Sequence, residues 1–284
     1  MFKNNVKTVV LLTALAALFL GVGSLFGSGG LIIGLILGLV FVGGSYWFSD
    51  KIAVRAAGAV PVSEADAPQL YSIVRDLAQR ANLPMPAIYI SPASQPNAFA
   101  TGRNEHHAAV AVTQGLLQVV DQEELRGVLA HELSHVRNHD ILIGSVAAAV
   151  ALGITFLARM LMWGAIFGGM GGGRDRNGNA LGAIAMMIFA PIAALLLQMS
   201  LSRSREYEAD RSGADLLGTG EPLARALEKI DAYAQQIPMN VDPAHATAYI
   251  INPLTGKQAN FANLFRSHPP TADRIARLRD VHVH

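Results

Sequence analysis

Between Thr8 and Ser49 the sequence carries not one charged side chain. Away from water, a run like this must pair its own amides and carbonyls, which favours helix over irregular chain. Gly27, Ser28, Gly29 and Gly30 interrupt it and leave two apolar stretches, 8–26 and 31–48, each close to the roughly 20 residues that cross a bilayer. Tyr46 and Trp47 fall where an interfacial aromatic belt would sit. Lys3 and Lys7 before an apolar run also fit a cleaved signal peptide, but the second apolar stretch follows at once and reads as the partner of a hairpin. Residues 141–158 and 180–202 are uncharged again. Arg159 follows the first of these and can snorkel, Pro191 is a tolerated kink, and a glycine-rich turn at 168–179 joins the two.

The composition agrees with a membrane protein: 51% apolar residues, 15% charged, and a mean hydropathy of +0.34. A net charge of +1 makes no electrostatic case for nucleic acid. The glycine-rich turn lacks the Gly-Lys-Ser/Thr ending of a phosphate loop, so no nucleotide is expected. With no cysteine, disulfides and thiolate metal ligands are excluded, and any metal must be held by His, Asp or Glu. Basic residues set the orientation. Lys3, Lys7, Lys51, Arg55, Arg203 and Arg205 flank one side of a four-span layout, against Arg174 and Arg176 on the other. The positive-inside rule then puts both termini and the intervening water-soluble parts in the cytoplasm.

Two stretches of ordinary soluble character remain, 50–140 and 203–284. In the first, Leu70, Ile73, Val74 and Leu77 mark a helix over 65–81, stopped by Asn82-Leu83-Pro84-Met85-Pro86. Strands are expected at 88–90, 98–100 and 108–113. A further helix starts at Asp121, with Glu124 completing a capping box and Leu125, Val128, Leu129, Leu133 and Val136 forming its apolar stripe. In the second stretch, helices are expected over 204–217, 223–236 and 271–280.

The Asp121 helix carries His131-Glu132-Leu133-Ser134-His135. Residues four apart share a helix face, with Cβ atoms roughly 5–6 Å apart, so both imidazoles can reach one metal ion. Glu132 stands at the edge of the same turn, where it can act as general base toward a water activated by the metal. This is the H-E-x-x-H pattern of zinc proteases. A catalytic zinc usually takes three protein ligands, and the continuation with Gly and His fails here, since Asn138 and Ile141 stand at those places. The third ligand must come from downstream, where Glu206, Glu208, Asp210, His245 and His268 are candidates. A two-span hairpin would return the chain to the same membrane face, which favours Glu206. Asp210, one turn on, can then orient a histidine from behind, while Glu208 points to the far side.

Taken together, HELSH with the following Val-Arg-Asn-His-Asp, SRSREYEAD at 202–210, Ser-His-Pro-Pro at 267–270, Asn97-Ala-Phe-Ala-Thr-Gly102 and the four apolar segments resemble HtpX-type membrane zinc endopeptidases, relatives of the CAAX prenyl proteases. The resemblance covers nearly the whole chain. It implies an α+β membrane protein, with about four transmembrane helices and a mostly helical, gluzincin-like catalytic domain holding a small β-sheet. It also implies one Zn2+ on His131, His135 and Glu206, with Glu132 as catalytic base and Asp210 behind the ligands. The expected layout is an N-terminal transmembrane hairpin (1–49), a first catalytic part (50–140), a second hairpin (141–202) and a second catalytic part (203–284). The implied role is quality control and stress response in a bacterial inner membrane, hydrolysing misfolded membrane proteins at the cytoplasmic face. His268 is expected to supply an oxyanion donor. The strand from Asn97 is expected to pair with an extended substrate. The alternative from a different class is a non-enzymatic membrane scaffold with a structural metal, which would have no need of Glu132.

Overall fold

The computed structural model describes residues 2–24, 27–143, 146, 203–236 and 269–280. The chain opens with two long helices, α1 (Phe2–Ser24) and α2 (Gly27–Trp47), packed on each other. Gly38 lets α2 approach α1 closely: a Cβ there would sit 3.3 Å from the Phe19 Cβ. The break between them falls earlier than glycine content predicts. Gly27, at φ +75°, opens α2, and Ser28, Gly29 and Gly30 lie inside it, because the intrahelical hydrogen bonds outweigh glycine's poor propensity. Within α2, Gly27–Gly44 is long and apolar enough to cross a membrane. Leu31, Ile32, Ile33, Leu35, Ile36, Leu39 and Val40 all stand exposed on it. The expected third and fourth spans, with Arg159, fall almost entirely outside the described residues.

A short helix, α3 (Ser49–Ala56), leads into a sheet built from β1 (Val60–Pro61), β2 (Ala87–Ser91), β3 (Ala98–Gly102) and β4 (Ala108–Thr113), in the order β1-β2-β4-β3. β2 and β4 run parallel in the centre, and β3 pairs antiparallel with β4, Ala98 opposite Val112 and Gly102 opposite Ala108. Among the described strands β3 therefore stands at the edge. Helix α4 (Pro68–Arg80) joins β1 to β2 and buries the predicted stripe of Leu70, Ile73, Val74 and Leu77. After β4 come α5 (Gln114–Val119) and α6 (Gln122–Arg137).

Helix α6 is the centre of the soluble part, packing against α4, β3, β4, α7 (Arg203–Leu217) and α8 (Glu221–Gln236). It starts with the capping box its sequence predicts. The Asp121 side chain accepts from the Glu124 amide at 2.9 Å and the Glu124 carboxylate accepts from the Asp121 amide at 2.8 Å. Val128, Leu129, Ala130 and Leu133 are fully buried. Gly127 allows the closest approach: a Cβ there would lie 2.4 Å from the Leu223 amide of α8. The last described element, α9 (Thr271–Arg279), packs on α8 and α7.

At its C-terminal end α6 stops in a sharp turn. The helix does not run straight on toward the next apolar stretch. It ends at Arg137, Asn138 and His139 form a turn with His139 at φ +56°, and a new helical start follows at Ile141. That turn swings Asp140 back beside α6.

Candidate metal and catalytic centre

His131 and His135, one turn apart on α6, present their Nε2 atoms 3.2 Å from each other. Glu206, in the first turn of α7, places one carboxylate oxygen 3.7 Å from the His131 Nε2 and the other 3.7 Å from the His135 Nε2. Three ligands each about 2.0–2.2 Å from a shared tetrahedral ion stand roughly 3.3 Å apart, so the trio already has nearly the spacing a metal requires. Gly213 brings α7 to this place: a Cβ on it would come within 3.0 Å of the His131 amide.

The far nitrogens of both rings are committed elsewhere. The His131 Nδ1 lies 2.9 Å from an Asp210 oxygen, and the His135 Nδ1 lies 3.1 Å from both oxygens of Asp140. With Nδ1–H given to a carboxylate, each Nε2 offers a lone pair, and two lone pairs facing across 3.2 Å with a carboxylate beside them call for a cation. In the chain alone a proton fills that need. Burial works against the His135 imidazolium, but the charges of Asp140 and Glu206 outweigh it and raise its pKa to about 10.

Behind His131 and His135 sits a second layer of charge. Arg274 of α9, 1% exposed, donates to the two Asp210 oxygens at 2.9 and 2.7 Å and stands 3.5 Å from both His131 ring nitrogens. Burial alone would push the Asp210 carboxyl up, but Arg274 and His131 hold it well below the usual carboxylate range. Arg205 stands 3.9 Å from Asp140.

Glu132 sits beside this cluster, 6% exposed, its carboxylate accepting from the Ala100 amide at 2.9 Å. Alternate residues of β3 turn their backbone away from β4, and Ala100 is one of them. Strand β3 thus passes alongside the metal-compatible group. Asn97 lies buried at the entry to β3, its amide donating to the Thr113 Oγ1 at 2.9 Å and its carbonyl accepting from the Thr113 amide at 2.9 Å. Among the third-ligand candidates, Glu206 meets the histidines, Asp210 backs His131, and Glu208 is exposed. His245 and His268 lie outside the described residues. His106 and His107 are exposed in a 3-10 turn at Glu105–His107.

The profile of Peptidase family M48 matches residues 64–282, most of the chain. The chain belongs to this family. A "Protease HtpX homolog" from Syntrophobacter fumaroxidans is 52% identical over 282 residues, covering 98% of this chain and 99% of that protein. Another so named, from Pelotomaculum thermopropionicum, is 48% identical over 284 residues, covering 99% of this chain and the whole of that protein. The crystal structure of S. mikatae Ste24p shares the fold with a TM-score of 0.50, at 21% identity, over 99% of this chain and 66% of that one. As an M48 member the chain is a metalloprotease and a hydrolase. Two residues escaped the sequence reading of this M48 site, Arg274 and Asp140. The signal for Arg274 is a basic residue four before Leu278 on a buried face. For Asp140 no sequence pattern exists, because its reach depends on the turn at His139.

Proposed function

We propose that the chain is a membrane-anchored zinc endopeptidase, with His131, His135 and Glu206 as metal ligands and Glu132 as general base. The observation that carries this reading is the convergence of both Nε2 atoms and the Glu206 carboxylate, each ring locked from behind by Asp210 or Asp140. Three nitrogen and oxygen donors suit Zn2+ at a catalytic site, which keeps its fourth tetrahedral position for water. When bound, the metal supplies Lewis acidity, activating a water and polarising a carbonyl.

The residues do the rest. Glu132 takes the proton of the attacking water at its carboxylate and returns it to the leaving amine, so that one carboxylate serves both halves of peptide hydrolysis. Asp210 and Asp140 fix the ring tautomers and raise the basicity of the ligands, and Arg274 prevents Asp210 from taking up the proton of His131. An extended polypeptide aligns along β3, where backbone pairing supplies affinity without demanding a sequence. His268, just before the buried Pro269, is assigned to the tetrahedral oxyanion as a donor.

The apolar helices α1 and α2, and the two uncharged segments at 141–158 and 180–202, anchor the domain in a bacterial inner membrane with the site on the cytoplasmic face. Misfolded membrane proteins are the natural substrates of a protease held at that height. The test is to purify wild type and Glu206→Ala in detergent and to measure metal content and cleavage of an unfolded membrane protein. Loss of both zinc and cleavage in the variant is the expected result. Full zinc in Glu206→Ala would remove Glu206 from the ligand set. Because the sequence has no cysteine, single-cysteine variants labelled from either side of the membrane read the orientation directly.

A further inference from the structure

At the end of α2 a cavity of about 440 Å³ opens between Gly43, Trp47, Phe48, Lys51, Arg103 and His107. Its cations are held by aromatic rings and a carbonyl. The Arg103 guanidinium lies 5.0 Å over the Trp47 ring and donates to the Trp47 carbonyl at 3.2 Å, and the Lys51 ammonium lies 5.8 Å over the Phe48 ring. Among the described residues no carboxylate stands within ion-pair distance of either cation, and Glu105 on the same turn faces His106 instead, at 3.5 Å. Gly43 faces open space where a side chain would otherwise stand. The exposed apolar row from Leu31 to Val40 leads along α2 toward this cavity, and Trp47 and Phe48 at its rim are 59% and 53% exposed. Unpaired cations, exposed aromatic rings and an apolar approach from one side describe the interface of a bilayer.

We infer that this cavity binds the phosphate of an anionic phospholipid, with Arg103 and Lys51 as its cationic partners, Trp47 and Phe48 at headgroup depth and the acyl chains along α2. The inference rests on the reading that α1 and α2 lie in the bilayer. A soluble phosphate ester offers the same charge but no acyl chains for the α2 face.

The experiment takes delipidated full-length protein in detergent and titrates it with phosphatidylglycerol or phosphatidylcholine, counting bound lipid by native mass spectrometry. Wild type is compared with Lys51→Gln, Arg103→Gln, the double variant, and Arg75→Gln as a charge control. A basic side chain near an anionic lipid is worth about fivefold in affinity, so each single variant should weaken phosphatidylglycerol binding about fivefold and the double variant about thirtyfold. Phosphatidylcholine binding and the Arg75→Gln variant should not change. Among the described residues the Lys51 ammonium meets only the Phe48 ring, so its variant tests the site even if Arg103→Gln fails to fold. Equal retention of the two lipids by wild type, or undiminished phosphatidylglycerol on the double variant, overturns the inference. Displacement of phosphatidylglycerol by an equal concentration of glycerol phosphate overturns it as well. Alkaline extraction of the membranes separates the two levels. Release of the chain overturns the bilayer reading and this inference with it, whereas retention without lipid selectivity overturns this inference alone.

Discussion

Replacing Arg274 with methionine tests how much one buried ion pair supports this centre. Arg274 and Asp210 are hydrogen-bonded at 2.7 and 2.9 Å, with side chains 1% and 4% exposed. The surface pair of Arg75 and Glu64 is as short, at 2.6 Å, but its side chains are 47% and 55% exposed. Distance therefore does not separate the two pairs; burial does. An exposed pair contributes about 0–1 kcal/mol, whereas removing one partner of a buried pair leaves an uncompensated charge and costs about 3–5 kcal/mol. In a chain of this size, Arg274→Met should lower the thermal midpoint by about 10 °C, and Arg75→Met by about 2 °C or less. The Asp210 carboxyl is held below its usual range, so the contribution of the pair is complete above about pH 4 and is lost as the pH falls below that range through the depressed pKa. With Asp210 no longer anchored, His131 loses its orientation, and zinc affinity measured against a competing chelator should fall about 10- to 100-fold. Equal small shifts for both variants, with zinc affinity unchanged, would mean that burial does not set the worth of the pair and that Asp210 does not orient His131.

Three further outcomes follow from the same structure. Since His135 in the metal-free chain carries a proton up to a pKa of about 10, zinc uptake near pH 7 must expel it. Binding should tighten about tenfold per pH unit, and calorimetry in two buffers of different ionisation enthalpy should show the release; pH-independent binding contradicts it. That imidazolium stabilises the metal-free fold fully below about pH 6.5, and its contribution is lost as the pH climbs through about 10. Gly127→Ala would press a Cβ into the backbone of α8 at Leu223 and should cost about 3 kcal/mol, visible as a lower thermal midpoint; a stability gain from better helix propensity would mean the two helices are not in contact. Asp121→Ala removes the capping-box acceptor of α6 and should lower the thermal midpoint by about 3 °C while leaving zinc content unchanged.

Much of this site is legible from spacing alone. The four-residue period of a helix puts His131 beside His135 and Glu206 beside Asp210, and the capping box at Asp121 fixes where α6 begins. The strands at 87–91, 98–102 and 108–113 were visible because turn residues bracket short β-branched and alanine-rich runs. What spacing does not reveal is contact made through turns and across distant sequence. Asp140 reaches His135 only because His139 adopts a left-handed conformation. Arg274 reaches Asp210 only because α9 packs on α7, a pairing that no local pattern encodes. The edge position of β3 is likewise a property of strand order, set by which strands find partners.

In the proposed mechanism Glu132 acts on water at a site built by His131, His135 and Glu206. The most direct test of that role is Glu132→Gln, which keeps the shape of the side chain but cannot accept the proton. Zinc content and cleavage of an unfolded protein should be measured on the same preparation. Zinc retained at one per chain with cleavage lost is the predicted result. Cleavage at the wild-type rate by zinc-loaded Glu132→Gln would contradict the account.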